Sequence, residues 1–71
     1  MRVYIFRNND EGLHAYTQDA AGHNLPASLS GVGWKHCGVI PDLHKLFPIG
    51  QAHAIRDVVL ARGFYLFKLG N

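Results

Sequence analysis

The sequence predicts an α+β domain: a small sheet in β-β-β-α-β order with one helix packed on one face. Three observations carry that expectation. Short runs of β-branched and aromatic residues alternate with Asn, Asp, Gly and Pro clusters, as strands between turns do. One segment, GQAHAIRDVVLAR, repeats its apolar residues at helical spacing. The whole chain has 71 residues, which leaves room for a single hydrophobic core and hence one domain, 1–71.

RVYIF, at 2–6, reads as the first strand. NNDEG follows it, rich in residues that tolerate positive φ, and LHAYTQ at 13–18 reads as the second strand. Two such runs around such a turn predict an N-terminal antiparallel hairpin. DAAGHNLPASLSGVG, at 19–33, is turn-like and long, about three times the usual connection. WKHCGVI, about 34–40, reads as a third strand that Pro41 closes. Between Pro41 and Pro48, DLHKLF predicts a helical turn with Leu43, Leu46 and Phe47 on one side. The main helix, about 50–62, carries Ala52, Ile55, Val58 and Val59 on one face and His53, Arg56 and Asp57 on the other. Gly63 stands where a left-handed C-cap belongs. FYLFKL, about 64–69, is the last strand. A helix joining the third and fourth strands is expected to make them parallel neighbours, so the sheet is expected to be mixed.

The last strand poses the functional question, because Phe64 to Phe67 is apolar or aromatic at every position. A strand with one wet face alternates, so something must lie over the second face. If Phe64 folds back on the helix end, Phe64 and Leu66 face the helix, with Val3, Ile5, Leu13 and Ala15. Tyr4, Phe6, Tyr16, Tyr65 and Phe67 then gather on the opposite face, with Arg2 and His14 at its edges. A slip of one residue in any strand would undo that strand's share. Three covers are considered for this aromatic face: the 19–33 loop together with the Pro41–Pro48 turn, a second copy of the chain, and single-stranded nucleic acid stacking on the rings.

Composition narrows the function. At 48% hydrophobic and 17% charged the chain is ordinary and globular, which argues against disorder. Seven Lys and Arg against five Asp and Glu give a formal charge of +2, too mild to imply nucleic acid. Cys37 is the only cysteine, so no internal disulfide exists, and a place as a small buried hydrophobe is expected for it. Trp34 is expected as a core anchor. The five histidines form no pair at metal-ligand spacing, and no metal or cofactor is expected. No glycine-rich phosphate loop or activated nucleophile stands out, so an enzyme is not expected. MRVYIFRNND has too short an apolar stretch for a signal-peptide core, and no run approaches a membrane span; a cytoplasmic protein is expected. The expected role is a binding domain acting through the aromatic face, on a protein partner or on itself as a homodimer. Single-stranded nucleic acid is the alternative, and an enzyme or metal protein comes third.

Overall fold

In a computed structural model the chain forms a four-stranded sheet with two helices on one side; residues 1–8, 12–26 and 33–68 are described. The elements are β1 (Val3–Asn8), β2 (Leu13–Thr17), β3 (Lys35–Ile40), α1 (Leu43–Leu46), α2 (Ile49–Arg62) and β4 (Phe64–Lys68). The α+β class, the N-terminal hairpin and the helix on one face are as the sequence predicts. In the hairpin, β1 pairs antiparallel with β2 from Tyr4 opposite Thr17 to Asn8 opposite Leu13, and Gly12 takes the positive φ (65°) that the turn needs.

The sheet is not mixed. Its strand order is β3-β1-β2-β4 and every neighbouring pair is antiparallel. Val39, Tyr4, Thr17 and Phe64 form one row across the four strands, so β3 ends and β4 begins at the same end of the sheet. A parallel crossover would have to return the chain to the far end before the next strand starts. Here α1 leads away from β3 and α2 leads back, and β4 enters running opposite to β3 at the other edge.

The core lies between the sheet and the helices. Val3, Ile40, Leu43, Ala52, Ile55 and Val59 are buried together, with Met1, Ile5, Tyr16, Phe47 and Tyr65 packed around them. Ala52, Ile55 and Val59 recur at helical spacing, which fixes the face α2 turns inward. Each fully buried aliphatic side chain contributes about 1.5–3 kcal/mol. α2 ends as its sequence predicts: Gly63 adopts φ 92°, and its N–H donates to the Val59 carbonyl. Of the Pro41–Pro48 turn, Leu43 is buried and Phe47 half-buried, whereas Leu46 is exposed.

α1 is only one turn long and depends on its cap. Asp42 accepts a hydrogen bond from the His44 N–H at 3.0 Å, and the Met1 amino group lies 3.4 Å from the same oxygen. The His44 backbone bond, with smaller help from the Met1 ammonium and against some desolvation, holds the Asp42 carboxyl below its ordinary pKa. A depressed carboxylate stabilises the fold above the ordinary carboxylate range, and that contribution is lost as pH falls through the folded value. Asp42→Asn is therefore expected to lower the melting temperature at neutral pH and to match the unmodified protein in strong acid. Thermal unfolding across that range checks it, and a gap that persists undiminished in acid would refute the assignment.

The described part of the 19–33 loop covers the far side of the sheet over Phe6, Ala15 and Thr17, while Val39 and Leu66 on the same side stay exposed. Gly22 packs on the Phe6 ring, where an added Cβ would sit 2.9 Å from ring atoms. The Thr17 hydroxyl donates to Asn24 Oδ1 at 2.8 Å, and Asn24 Nδ2 donates to the Gly63 carbonyl at 2.7 Å. The Asp19 N–H donates in turn to Thr17 Oγ1 at 3.1 Å. Under this cover Phe6, Ala15 and Thr17 are buried. Trp34 is half-buried, with its indole N–H on the Pro26 carbonyl at 2.7 Å, so it anchors the loop rather than the core. Leu29 and Val32, expected to help cover this face, lie outside the described residues, as does Leu69 of the expected fourth strand.

Candidate functional site

The seven residues expected on one aromatic face are divided between two. Cross-strand partners share a face, and Ile5, Tyr16 and Tyr65 are such partners. Ile5 packs on the core beneath α2, so Tyr16 and Tyr65 point to the helix side with it. His14 and Phe67, opposite each other two residues along, do the same. Tyr4 and Phe6 alternate with Val3 and Ile5 and point away from α2, where both rings meet His36, at 6.1 Å and 5.3 Å between centroids. Arg2 is exposed, two positions before Tyr4. The expected registers of β1 are correct and those of β2 and β4 are reversed.

The reversal has a physical cause. Leu13, Ala15 and Thr17 alternate with His14 and Tyr16, and hydrophobicity alone assigns the aliphatic set to the core. Size decides otherwise. A loop that approaches the sheet closely needs small side chains beneath it, and Ala15 and Thr17, both 0% exposed, supply them. The larger rings then fill the wedge beside the helices. That contrast between small and large side chains is the signal in the sequence that would have found the true register.

On the helix side the rings form one cluster. Tyr16 meets Phe67 at 4.7 Å, Tyr65 at 6.1 Å and Phe47 at 6.2 Å between centroids, and His14 stacks on Phe67 at 5.3 Å. Aromatic pairs at such separations add about 0.5–1.5 kcal/mol beyond their buried area. A cleft of about 180 Å³ remains between the sheet rings and Phe47, Gln51 and Ile55. Burial, and the Tyr65 phenol beside it, push the Tyr16 phenol above its ordinary pKa. The His14 Nδ1 atom is buried without a hydrogen-bond partner among the described residues. A second hollow, of about 330 Å³, lies at the end of β3 among Val39, Ile40, Pro41, Asp42, Lys45 and Leu46.

The two edges of the sheet differ. β3 slips in its pairing with β1 between Ile5 and Phe6: Gly38 stands opposite Ile5 and His36 opposite Phe6, leaving Cys37 as the extra residue of a bulge. Lys35, His36 and Cys37 are exposed there, so Cys37 is not the buried hydrophobe expected of it. A bulge displaces its extra residue from the ladder, and in an edge strand such a residue meets solvent. β4 pairs with β2 without interruption from Phe64 opposite Thr17 to Lys68 opposite Leu13, and among the described residues its other edge meets no strand. It carries Phe64, Tyr65, Leu66 and Phe67 in succession, with Leu66 39% exposed.

The fold brings together other residues that are far apart in the sequence. His44 and His53 meet edge-on at 5.0 Å between ring centroids. Among the described residues no group of three or more His, Cys, Asp or Glu is placed to hold a metal ion. Nor, among those residues, is any helix long and apolar enough to cross a membrane. No family model matches this chain, and neither the curated proteins nor the solved structures yield a match to it.

Proposed function

We propose that this chain is a small interaction domain that binds a protein partner by taking a β-strand onto β4. One observation carries the reading: β4 is an unbulged, proline-free edge with four consecutive apolar or aromatic residues, paired, among the described residues, on one side only. An edge of that kind offers a row of backbone donors and acceptors to an added strand, with side-chain contacts alternating above and below. β3 lacks the same quality, because its bulge and its exposed Lys35 and His36 oppose a continuous ladder. Nucleic acid is the weaker occupant. Stacking bases need open rings on one face flanked by cations, whereas Tyr16, Tyr65 and Phe67 pack on one another and Tyr4 and Phe6 lie on the other side of the sheet.

The test is a photo-crosslinking amino acid placed at Leu66, at Val39 in β3, or at His23 on the loop, in the cell that makes the protein. A protein adduct is expected at position 66 and not at 39 or 23. No adduct at 66, or equal adducts at all three, would overturn the reading.

A further inference from the structure

Resting on that reading of β4, we propose that the strand it takes is the β4 of a second copy. The two strands pair antiparallel about a twofold axis at Leu66 and join two four-stranded sheets into one of eight strands.

Symmetry restricts the register. An antiparallel edge pair in a closed dimer has its axis perpendicular to the sheet, so each face of one copy continues as the same face of the other. Residues directly opposite must then share a face, which requires the axis to pass through a residue and not between two. Only Leu66 as that residue pairs all five positions of β4 with one another.

The side chains fit this arrangement. Tyr65 stands opposite Phe67 of the second copy on the helix side, which continues the ring cluster of His14, Tyr16, Tyr65 and Phe67 across the axis. On the far side Phe64 stands opposite Lys68 of the second copy. The two ammonium groups are kept apart, and each lysine stem lies along an aromatic ring. Leu66 meets its own counterpart, so its exposed surface is buried by an identical one.

A specific interface buries roughly 1,000 Å² or more, which asks for more than backbone pairing over a short strand. α2 adds a second contact beside the strands. Gln51 lines the cleft with Tyr65 and Phe67, so its flank of α2 lies over β4. Ala54, Val58 and Ala61 follow on that flank at helical spacing. Ala54 and Ala61 are exposed and small, and let two antiparallel helices approach to about 8–10 Å between axes. The bulged β3 edges are left on the outside, where they discourage a third copy from continuing the sheet.

The experiment places single cysteines in a Cys37→Ser background and applies mild oxidation at low micromolar protein. Directly opposed residues of an antiparallel pair lie within disulfide reach. Leu66→Cys is expected to give a covalent dimer, as is the combination of Phe64→Cys with Lys68→Cys, while Phe64→Cys alone and Lys68→Cys alone form no covalent link. Sedimentation of the unmodified protein is expected to give twice the chain mass of 7.9 kDa, and Leu66→Lys to return it to the monomer. A link from Phe64→Cys or Lys68→Cys alone would overturn the register. A monomeric mass with no link at Leu66→Cys would overturn the dimer. If adducts to a different protein still form at position 66 in that case, the interaction edge stands without its self-pairing; if none form, both fail.

Discussion

Replacing Leu43 with alanine is expected to cost about 2–5 kcal/mol, the range for truncating a fully buried leucine. Leu43 is 0% exposed and packs with Val3, Ile40, Ala52, Ile55 and Val59, so the cavity would open at the junction of sheet, α1 and α2. Its N–H also donates to the Met1 carbonyl, which holds this segment against the start of β1 and limits how far the site can collapse. At about 0.05–0.15 kcal/mol per residue, a chain of this length has only about 4–10 kcal/mol in hand, so the substitution removes a large share. Leu46→Ala, three residues along at a side chain 62% exposed, is the control and is expected to change stability by less than about 0.5 kcal/mol. Urea unfolding of both variants at one protein concentration checks the pair. Equal effects would mean that Leu43 is not the residue that joins the helices to the sheet.

Gly22→Ala is expected to cost about 2–4 kcal/mol through two separable causes. Gly22 has φ 71°, where a Cβ costs about 1–2 kcal/mol. The new methyl would also meet Phe6 Cε2 and Cζ at 2.9 Å and the Leu25 side chain at 3.2 Å. Phe6 is 4% exposed and has little room to move, so the contact adds about 1–3 kcal/mol of overpacking, less whatever the loop concedes. Gly12→Ala separates the causes: φ there is 65°, and nothing lies within 4 Å of the added Cβ. The excess of Gly22→Ala over Gly12→Ala measures how tightly the loop presses on the sheet. Adding Phe6→Leu should recover much of that excess in a double-mutant cycle. No excess would mean that the loop does not rest on Phe6.

Much of the fold was legible in the residues. VYIF and LHAYT around a Gly-containing turn specify a hairpin, and a helix whose Ala52, Ile55 and Val59 recur on one face specifies a single covering layer. Gly63 at the helix end is legible because few other residues take its conformation readily. Less legible were properties that depend on contacts between distant segments. The direction of β4 depends on α1 turning the chain before α2 begins, and a four-residue helix leaves little periodicity to read. The facing of β2 and β4 depends on which side the loop covers, and Asn24 declares that only by meeting Thr17 and Gly63. The exposure of Cys37 depends on a bulge, which shows in the pairing of two strands and in neither alone. The interaction edge falls between these cases. FYLF marks β4 as needing cover on both faces, while its place at the border of the sheet follows from topology.

The bond from Asn24 to Gly63 spans 39 positions of sequence. A chain growing from its N-terminus makes β1, β2 and the loop's local contacts first, yet the tie of the loop to the helix end waits until α2 is complete and Gly63 has emerged. Through that interval β3 can join β1 and β2, but β4 is absent and the loop over Phe6, Ala15 and Thr17 is held only by its local contacts. The bond that locks the lid is thus among the last to form, and a nascent chain is exposed to misassociation until its final strand appears.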